Sequence, residues 1–367
     1  MHKLCLFLVI QKPSTKAGFH PPIPAGPQLY RDAAEIYQLN GQLGDAHTHK
    51  RLRQITYSIT RLGNLVSSFQ IEGIDIDRAK AARALAGHKT DTPHEADIAR
   101  FGALYDEIHR SEEVLRLTPE IIQQWHARLF TKESLEQGEP GEWKTDANGV
   151  WDSEKHDFVF LATPKEDTVA ELEALIRWHE NEAYRLPAPI AAAILFAEFE
   201  SIHPFPDGNG RLGRLLNLWA LKANGLKNAF LAPIDERFKR SQDRFYAALR
   251  TTNLGDSYSA YCGYYLTQLR AAFEQAQYLG RLGDVFDELP RASARGVLEW
   301  ILSARADDWF KRGDYPNDEA VSDATLTTIL SELTALGFLE AQGERKGRKY
   351  RLDWDAVLAK TERAAAR

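Results

Sequence analysis

A chain of 367 residues, 44% hydrophobic and 27% charged, has the length for two or three domains and the composition of a soluble protein with real cores. Its net charge of -6 gives no general reason to expect nucleic acid, although it leaves room for a local basic patch. The two cysteines, Cys5 and Cys262, form no Cys-x-x-Cys pair, which excludes a zinc ribbon or a disulfide framework and fits a reducing compartment.

The apolar run Leu4 to Ile10 is too short to span a bilayer and is followed by no small-residue cleavage site. It reads as a buried start, or as a start codon set upstream of Pro21, and the working assumption is a cytoplasmic protein with no membrane partner. Residues 11–28, rich in Pro and Gly, read as an extended lead-in. Helical periodicity then runs over 29–67, with Leu29, Ala33 and Ile36 on one face and Leu52, Ile55, Ile59, Leu62 and Val66 on another.

Thr118-Pro119 caps a helix reaching Leu129, with Thr at the cap and Pro at the first position. Further helices are predicted over 168–182, 187–201, 210–224 and 258–278, the second of these apolar on all sides and therefore central. Residues 143–161 break the pattern. Asn148-Gly149 is a hairpin turn signal, and Val150, Trp151, Phe158, Val159 and Phe160 suit strands.

Beyond Leu289-Pro290, helices are predicted over 292–302 and 324–336, then strands at 338–341 and 349–352 around the basic stretch 345–351. Three helices and a two-stranded ribbon with a basic tip make a winged helix. The expected organisation is an N-terminal helical region over 1–75, a central domain over 76–285 and a winged-helix domain over 290–367.

The most informative string is His203-Pro-Phe-Pro-Asp-Gly-Asn-Gly-Arg-Leu-Gly-Arg214, between two predicted helices. Glycines beside Asn209 let the backbone turn tightly and approach a ligand. The helix start after them offers free N–H groups and partial positive charge, which suits an anion. Arg211 and Arg214 are three apart and share a helix face. Asp207 stands where a magnesium ligand belongs beside phosphates. His203, at the loop entrance, suits a general base.

This string resembles the Fic-domain signature His-x-Phe-x-Asp/Glu-Gly-Asn-Gly-Arg-x-x-Arg at every fixed position. The resemblance implies a mainly α fold, a Fic-type helical core with a β-hairpin flap, and a small α+β winged-helix companion. It implies transfer of AMP from ATP, with Mg2+, to a Ser, Thr or Tyr hydroxyl of a protein, this chain itself included. His203 would be the base and Asp207 the metal ligand. Gly208, Asn209 and Gly210 would form the anion hole, with the Asn209 side chain on a phosphate. Arg211 and Arg214 would meet the β- and γ-phosphates, and Phe205 would point into the core. Phe245-Tyr246 resembles the aromatic pair lining the nucleotide pocket. Trp143-Lys144 sits where relatives carry the target-docking flap. Phe196 replaces a histidine common seven residues before the base.

A second string, Ser68-Phe-Gln-Ile-Glu72-Gly, resembles the family's inhibitory motif. That likeness implies that Glu72 pairs with Arg214 and withdraws the γ-phosphate's partner; it also allows Glu72 to position a water that removes AMP. Dimerisation is common in relatives. The other function class weighed is a nucleotide-sensing regulator whose winged helix contacts DNA or protein. His47, His49, His94, His156 and His179 show no metal spacing and read as surface or capping residues.

Overall fold

The computed structural model describes residues 10–11, 18–24, 26–46, 50–152, 157–254, 257–280, 289, 292–304, 309–315, 321–344, 347–353 and 356. A short strand β1 (Ile10–Gln11) precedes helices α1 (Pro27–Ala46), α2 (Lys50–Ile71), α3 (Arg78–Leu85), α4 (Pro93–Arg110) and α5 (Pro119–Leu129). The hairpin β2 (Gly149–Asp152) and β3 (Asp157–Leu161) follows. Then come α6 (Thr168–Asn181), α7 (Ala188–Ile202), α8 (Asn209–Ala223), α9 (Ile234–Arg240), α10 (Gln242–Leu254) and α11 (Ser259–Gly280). Local chemistry explains several starts. Thr92 and Thr118 each cap a helix with a side-chain oxygen on the N–H three residues on, and Pro93 and Pro119 fill the first helical position.

Every residue of α7 except Glu200 is buried. Its lack of a polar face made a central position the only low-energy one, and it packs against α6, α8 and α11. Around it lies one large hydrophobic core that includes Ile190, Ile194, Phe196, Phe199, Leu212, Leu216, Phe238 and Tyr265. Phe196 stacks on Phe238 and Phe245, so this position is an aromatic packing site. Among the described residues no helix is long and apolar enough to cross a membrane.

The hairpin departs from the sequence expectation. Asn148-Gly149 is not its turn: Gly149 opens β2 in register with Leu161, and the residues joining β2 to β3 lie outside the described residues. Asn148 is instead committed to the loop after α7, donating from Nδ2 to the carbonyls of His203 (3.1 Å) and Phe205 (2.9 Å). The sheet also gains β1, which pairs parallel with β3, giving the order β1-β3-β2.

The C-terminal region has its own core, built on α12 (Ala292–Ala304), β4 (Phe310–Lys311), α13 (Asp323–Ala335), β5 (Leu339–Gln342) and β6 (Lys349–Leu352). Its small antiparallel sheet has the order β4-β6-β5. Two helices rather than three lie among its described residues, and β4 is a strand that its two-residue length hid from the sequence pattern. α13 carries Asp323 and Glu332 and no Lys or Arg. The expected basic tip at Arg345 and Lys346 lies outside the described residues. Ile59 of α2 is buried in this second core, so the region is docked on α2.

α2 is fixed to the central core by a buried amide. Asn64 Nδ2 donates to the Ala232 carbonyl at 3.2 Å and the Tyr105 hydroxyl oxygen at 3.3 Å, and its Oδ1 accepts from the Asp235 N–H at 3.1 Å. Asn64→Ala leaves these groups buried without a partner, and the urea midpoint should report a loss of about 2 kcal/mol.

Candidate active site

The end of α7 sets the site. His203 caps the helix in the left-handed conformation (φ 50°, ψ 62°) and has the one positive φ of any non-glycine described residue. Pro204 follows and cannot continue a helix. The loop to Gly208 is short and mostly buried, so its carbonyls need partners. Lys144 Nζ donates to the Ile202 carbonyl at 2.9 Å, and the Lys144 N–H donates to the Pro204 carbonyl at 3.0 Å. Asn209, itself 1% exposed, accepts from the Phe205 N–H at 2.9 Å and donates back to the Phe205 carbonyl at 2.8 Å. Both ends of the Asn209 amide are thereby used on its own loop. The second Nδ2–H is left for the phosphate contact expected of this side chain.

Phe205 is fully buried, stacked between His126 at 3.9 Å and Trp143 at 4.8 Å. His126 was not singled out by the sequence. Its Nδ1 accepts from the Gly141 N–H at 2.8 Å, which leaves Nε2–H to donate to the Asp207 carbonyl at 2.9 Å. Burial pushes its imidazole down to about 4, so it stays neutral in this role. Trp143 and Lys144, expected on a docking flap, also tie to the loop after α7, one by stacking on Phe205 and one by buried hydrogen bonds.

His203 is half-buried. Its Nδ1–H donates to the Glu200 carbonyl at 3.2 Å, which leaves Nε2 in the base form. Burial, reinforced by the nearby Lys144 cation, holds the imidazole down at about 4, so it is neutral at physiological pH.

Gly208 adopts φ +79°, and a Cβ there would meet the Phe130 ring at 2.6 Å, so only glycine fits. α8 begins at Asn209. Its two arginines are both buried, each 2% exposed. Arg211 lies over the rings of Phe130 (4.5 Å) and Phe69 (5.3 Å), and its Nη2 is 3.3 Å from Asp207 Oδ1. Its Nε and Nη1 have no partner. Buried donors left open on a cation beside a helix start are what an anion would satisfy. Asp97, also missed by the sequence, supplies a carboxyl near this cation; burial pushes it up to about 6.

Arg214 is engaged. Nε donates to Ser68 Oγ at 2.8 Å, and Nη2 donates to the Ser68 carbonyl at 2.8 Å and to Glu72 Oε1 at 2.7 Å. Ser68 and Glu72 are four apart and lie on one face at the end of α2, which is why the two-residue signature meets one guanidinium. Glu72 also hangs over the loop, since a Cβ at Gly210 would lie 2.2 Å from its Oε1. The carboxylate therefore fills space directly above the glycine at the helix start.

The aromatic pair divides. Phe245 is packed in the core against Phe238 and Phe196. Tyr246 is 41% exposed, with its hydroxyl 3.4 Å from the Ile71 carbonyl beside Glu72. His94, read as a surface residue, lies within electrostatic reach of Arg211 and Asp207. Glu200 has an unpartnered buried Oε1, and burial pushes its carboxyl up to about 8 against the pull of Arg214.

No group of three His, Cys, Asp or Glu able to hold a metal is found among the described residues. A metal here would rest on Asp207 alone among side chains. Asp207 is one-quarter exposed, with Oδ2 accepting from the Glu136 N–H at 2.9 Å. One carboxylate completed by substrate phosphates and water suits magnesium. Inorganic pyrophosphate should raise the melting temperature of Glu72→Gly by several degrees and move wild type little, as read by scanning fluorimetry. Equal shifts would show that the carboxylate does not hold the anion's place.

Residues 116–221 match the family model described as Fic/DOC family. Over 133 residues the chain is 33% identical to a probable protein adenylyltransferase, aq_aa38, of Aquifex aeolicus, covering 35% of this chain and 38% of that protein. Over 98 residues it is 33% identical to the protein adenylyltransferase fic-1 of Caenorhabditis elegans, covering 26% of this chain and 18% of that protein. These matches thus span well under half of either relative. The fold is similar to the crystal structure of a Fic family protein from Desulfovibrio desulfuricans, with a TM-score of 0.61 at 19% identity over 92% of this chain and 99% of that one.

Proposed function

We propose that this chain, with its Fic/DOC domain over residues 116–221, is a protein adenylyltransferase that moves AMP from ATP to a hydroxyl of a protein and is held back by Glu72. The observation that carries the reading is the convergence of three features at one loop. They are a neutral imidazole at His203 with Nε2 free, unpartnered donors on buried Arg211, and a glycine-flanked helix start.

Nε2 of His203 takes the proton of the acceptor hydroxyl. The oxygen attacks the α-phosphorus, the bond to the bridging oxygen breaks, and pyrophosphate leaves. Backbone N–H groups at the start of α8 and the Arg211 guanidinium stabilise the charge that builds on the phosphates. Neither group needs to reorganise: the loop is fixed by Asn209, Asn148 and His126, and Arg211 is clamped between two rings. Magnesium, held by Asp207 and the substrate's phosphates, would neutralise charge on the departing group.

Glu72 opposes this in two ways. It occupies a guanidinium that ATP would otherwise use, and it fills the space above Gly210. A charge-assisted contact of this kind also adds a like charge against incoming phosphates. The DNA-regulator alternative gains no support from α13, which has no basic side chain.

Incubation of Glu72→Gly with [α-32P]ATP and Mg2+ should label protein about tenfold or more above wild type, the scale expected when one charged contact is removed. His203→Ala in that background should abolish the label. Labelling that survives His203→Ala would overturn the assignment of the base. The acid limb of the rate should fall as pH drops through about 4, because the depressed imidazole stays unprotonated down to there. Lys144→Met removes a neighbouring cation and should move that limb to higher pH, measured as initial rate against pH.

A further inference from the structure

His126 and the aspartate it faces belong to one clamp. α5 ends just past His126, and the chain then returns over Pro206 and Asp207: a Cβ at Gly138 would lie 2.5 Å from Pro206 Cγ. Two donors from this segment hold Asp207 at different atoms. His126 Nε2–H reaches its carbonyl at 2.9 Å, and the Glu136 N–H reaches its Oδ2 at 2.9 Å. The other carboxylate oxygen, Oδ1, accepts from the Gly208 N–H and lies 3.3 Å from Arg211 Nη2. His126 cannot turn away. It is fully buried, its ring lies 13° from parallel with Phe205, and its Nδ1 is taken by the Gly141 N–H. The ring therefore passes the placement of residues 136–141 on to the backbone that carries the carboxylate.

We propose that His126, together with the Glu136 N–H, is a positioning device for the metal: it sets the affinity for Mg2+ at Asp207 and leaves the base and the phosphate cation alone. The proposal rests on the transferase reading above. Magnesium demands near-ideal octahedral geometry, so a site with one protein side chain depends on how that carboxylate is aimed. Groups that orient a metal ligand from behind commonly change metal affinity about ten- to a hundredfold. His126 has no exposed surface with which to meet a substrate. His203 takes its orientation from the Glu200 carbonyl, and Arg211 lies over Phe130 and Phe69, so neither hangs on this imidazole. Loss of the clamp therefore belongs in the magnesium requirement and not in turnover at saturating metal. His126→Phe keeps a flat ring against Phe205 and removes both hydrogen bonds. His126→Gln returns an N–H with the reach of Nε2.

The test is made in Glu72→Gly. The Mg2+ concentration that half-saturates labelling with [α-32P]ATP should rise about tenfold in His126→Phe, while the rate at saturating Mg2+ stays within about twofold of the parent. His126→Gln should recover most of the magnesium affinity. Apart from transfer, Mn2+ binding in the presence of pyrophosphate, read from the EPR signal of free Mn2+, should weaken by about the same factor in His126→Phe. Glu136→Pro removes the other donor from an exposed position, and Leu135 before it already has the extended backbone (φ -93°, ψ 133°) that a following proline requires. It should weaken Mn2+ binding as well, which keeps the clamp testable if His126→Phe does not fold. Unchanged Mn2+ binding in the folded variants overturns the inference. So does a lost rate that saturating Mg2+ fails to restore, because the ring would then support the loop as a whole. Absence of label in Glu72→Gly with Mn2+ binding that still depends on His126 would instead bring down the transferase reading alone.

Discussion

A fully buried helix that stops inside a protein leaves its last carbonyls with no water to turn to, and the whole site follows from how this chain meets that demand. The carbonyls of Glu200, Ile202, His203, Pro204, Phe205 and Asp207 each receive a donor from a named group: His203, Lys144, Asn148, Lys144 again, Asn209 with Asn148, and His126. Apart from His203 and Asn209, which act within their own loop, those donors come from residues 144–148 and from α5, so two distant segments converge on the end of α7. The fixed loop then imposes the left-handed turn at His203, the ring orientation that leaves Nε2 open, and the direction in which α8 departs. The geometry of the proposed site and the satisfaction of its backbone are here the same set of contacts.

The second constraint is charge. Two guanidiniums sit almost without exposure at the start of α8, where the helix dipole adds further positive potential. Such a cluster is costly unless anions share the space. Asp207 and Asp97 balance Arg211 from one side, and Ser68 and Glu72 satisfy Arg214 from the other. In the proposed reaction the phosphates of ATP would offer the remaining negative charge, and Glu72, which already supplies an oxygen to Arg214, would stand in for part of that substrate.

Much of this was legible in the residues. The twelve-residue string, the fully apolar helix before it and the serine and glutamate four apart each carry a local signal: composition, periodicity or a helix-face spacing. What escaped depends on partners distant in sequence. Asn148-Gly149 looks like a turn in isolation, and only the loop more than fifty residues away reveals why an amide is needed there. The contacts of Trp143 and Lys144 with the loop after α7 have no local mark, because an aromatic and a cation carry no sign of burial in the sequence. His126 has no motif at all; its role exists only once α5 is laid against the loop. β1 and β4 are too short for an alternating pattern to show.

Gly210 carries a consequence for how such a protein can change over generations. Its missing side chain is the room in which the Glu72 carboxylate rests. Under the proposed reaction a nucleotide would enter the same room, so any methyl added there would crowd both occupants at once. A mutation at this codon would then disturb restraint and turnover together, whereas one at Glu72, just past the end of α2, would touch the restraint alone. On that reading, constitutive descendants would keep an intact signature and differ some 130 residues away in the chain.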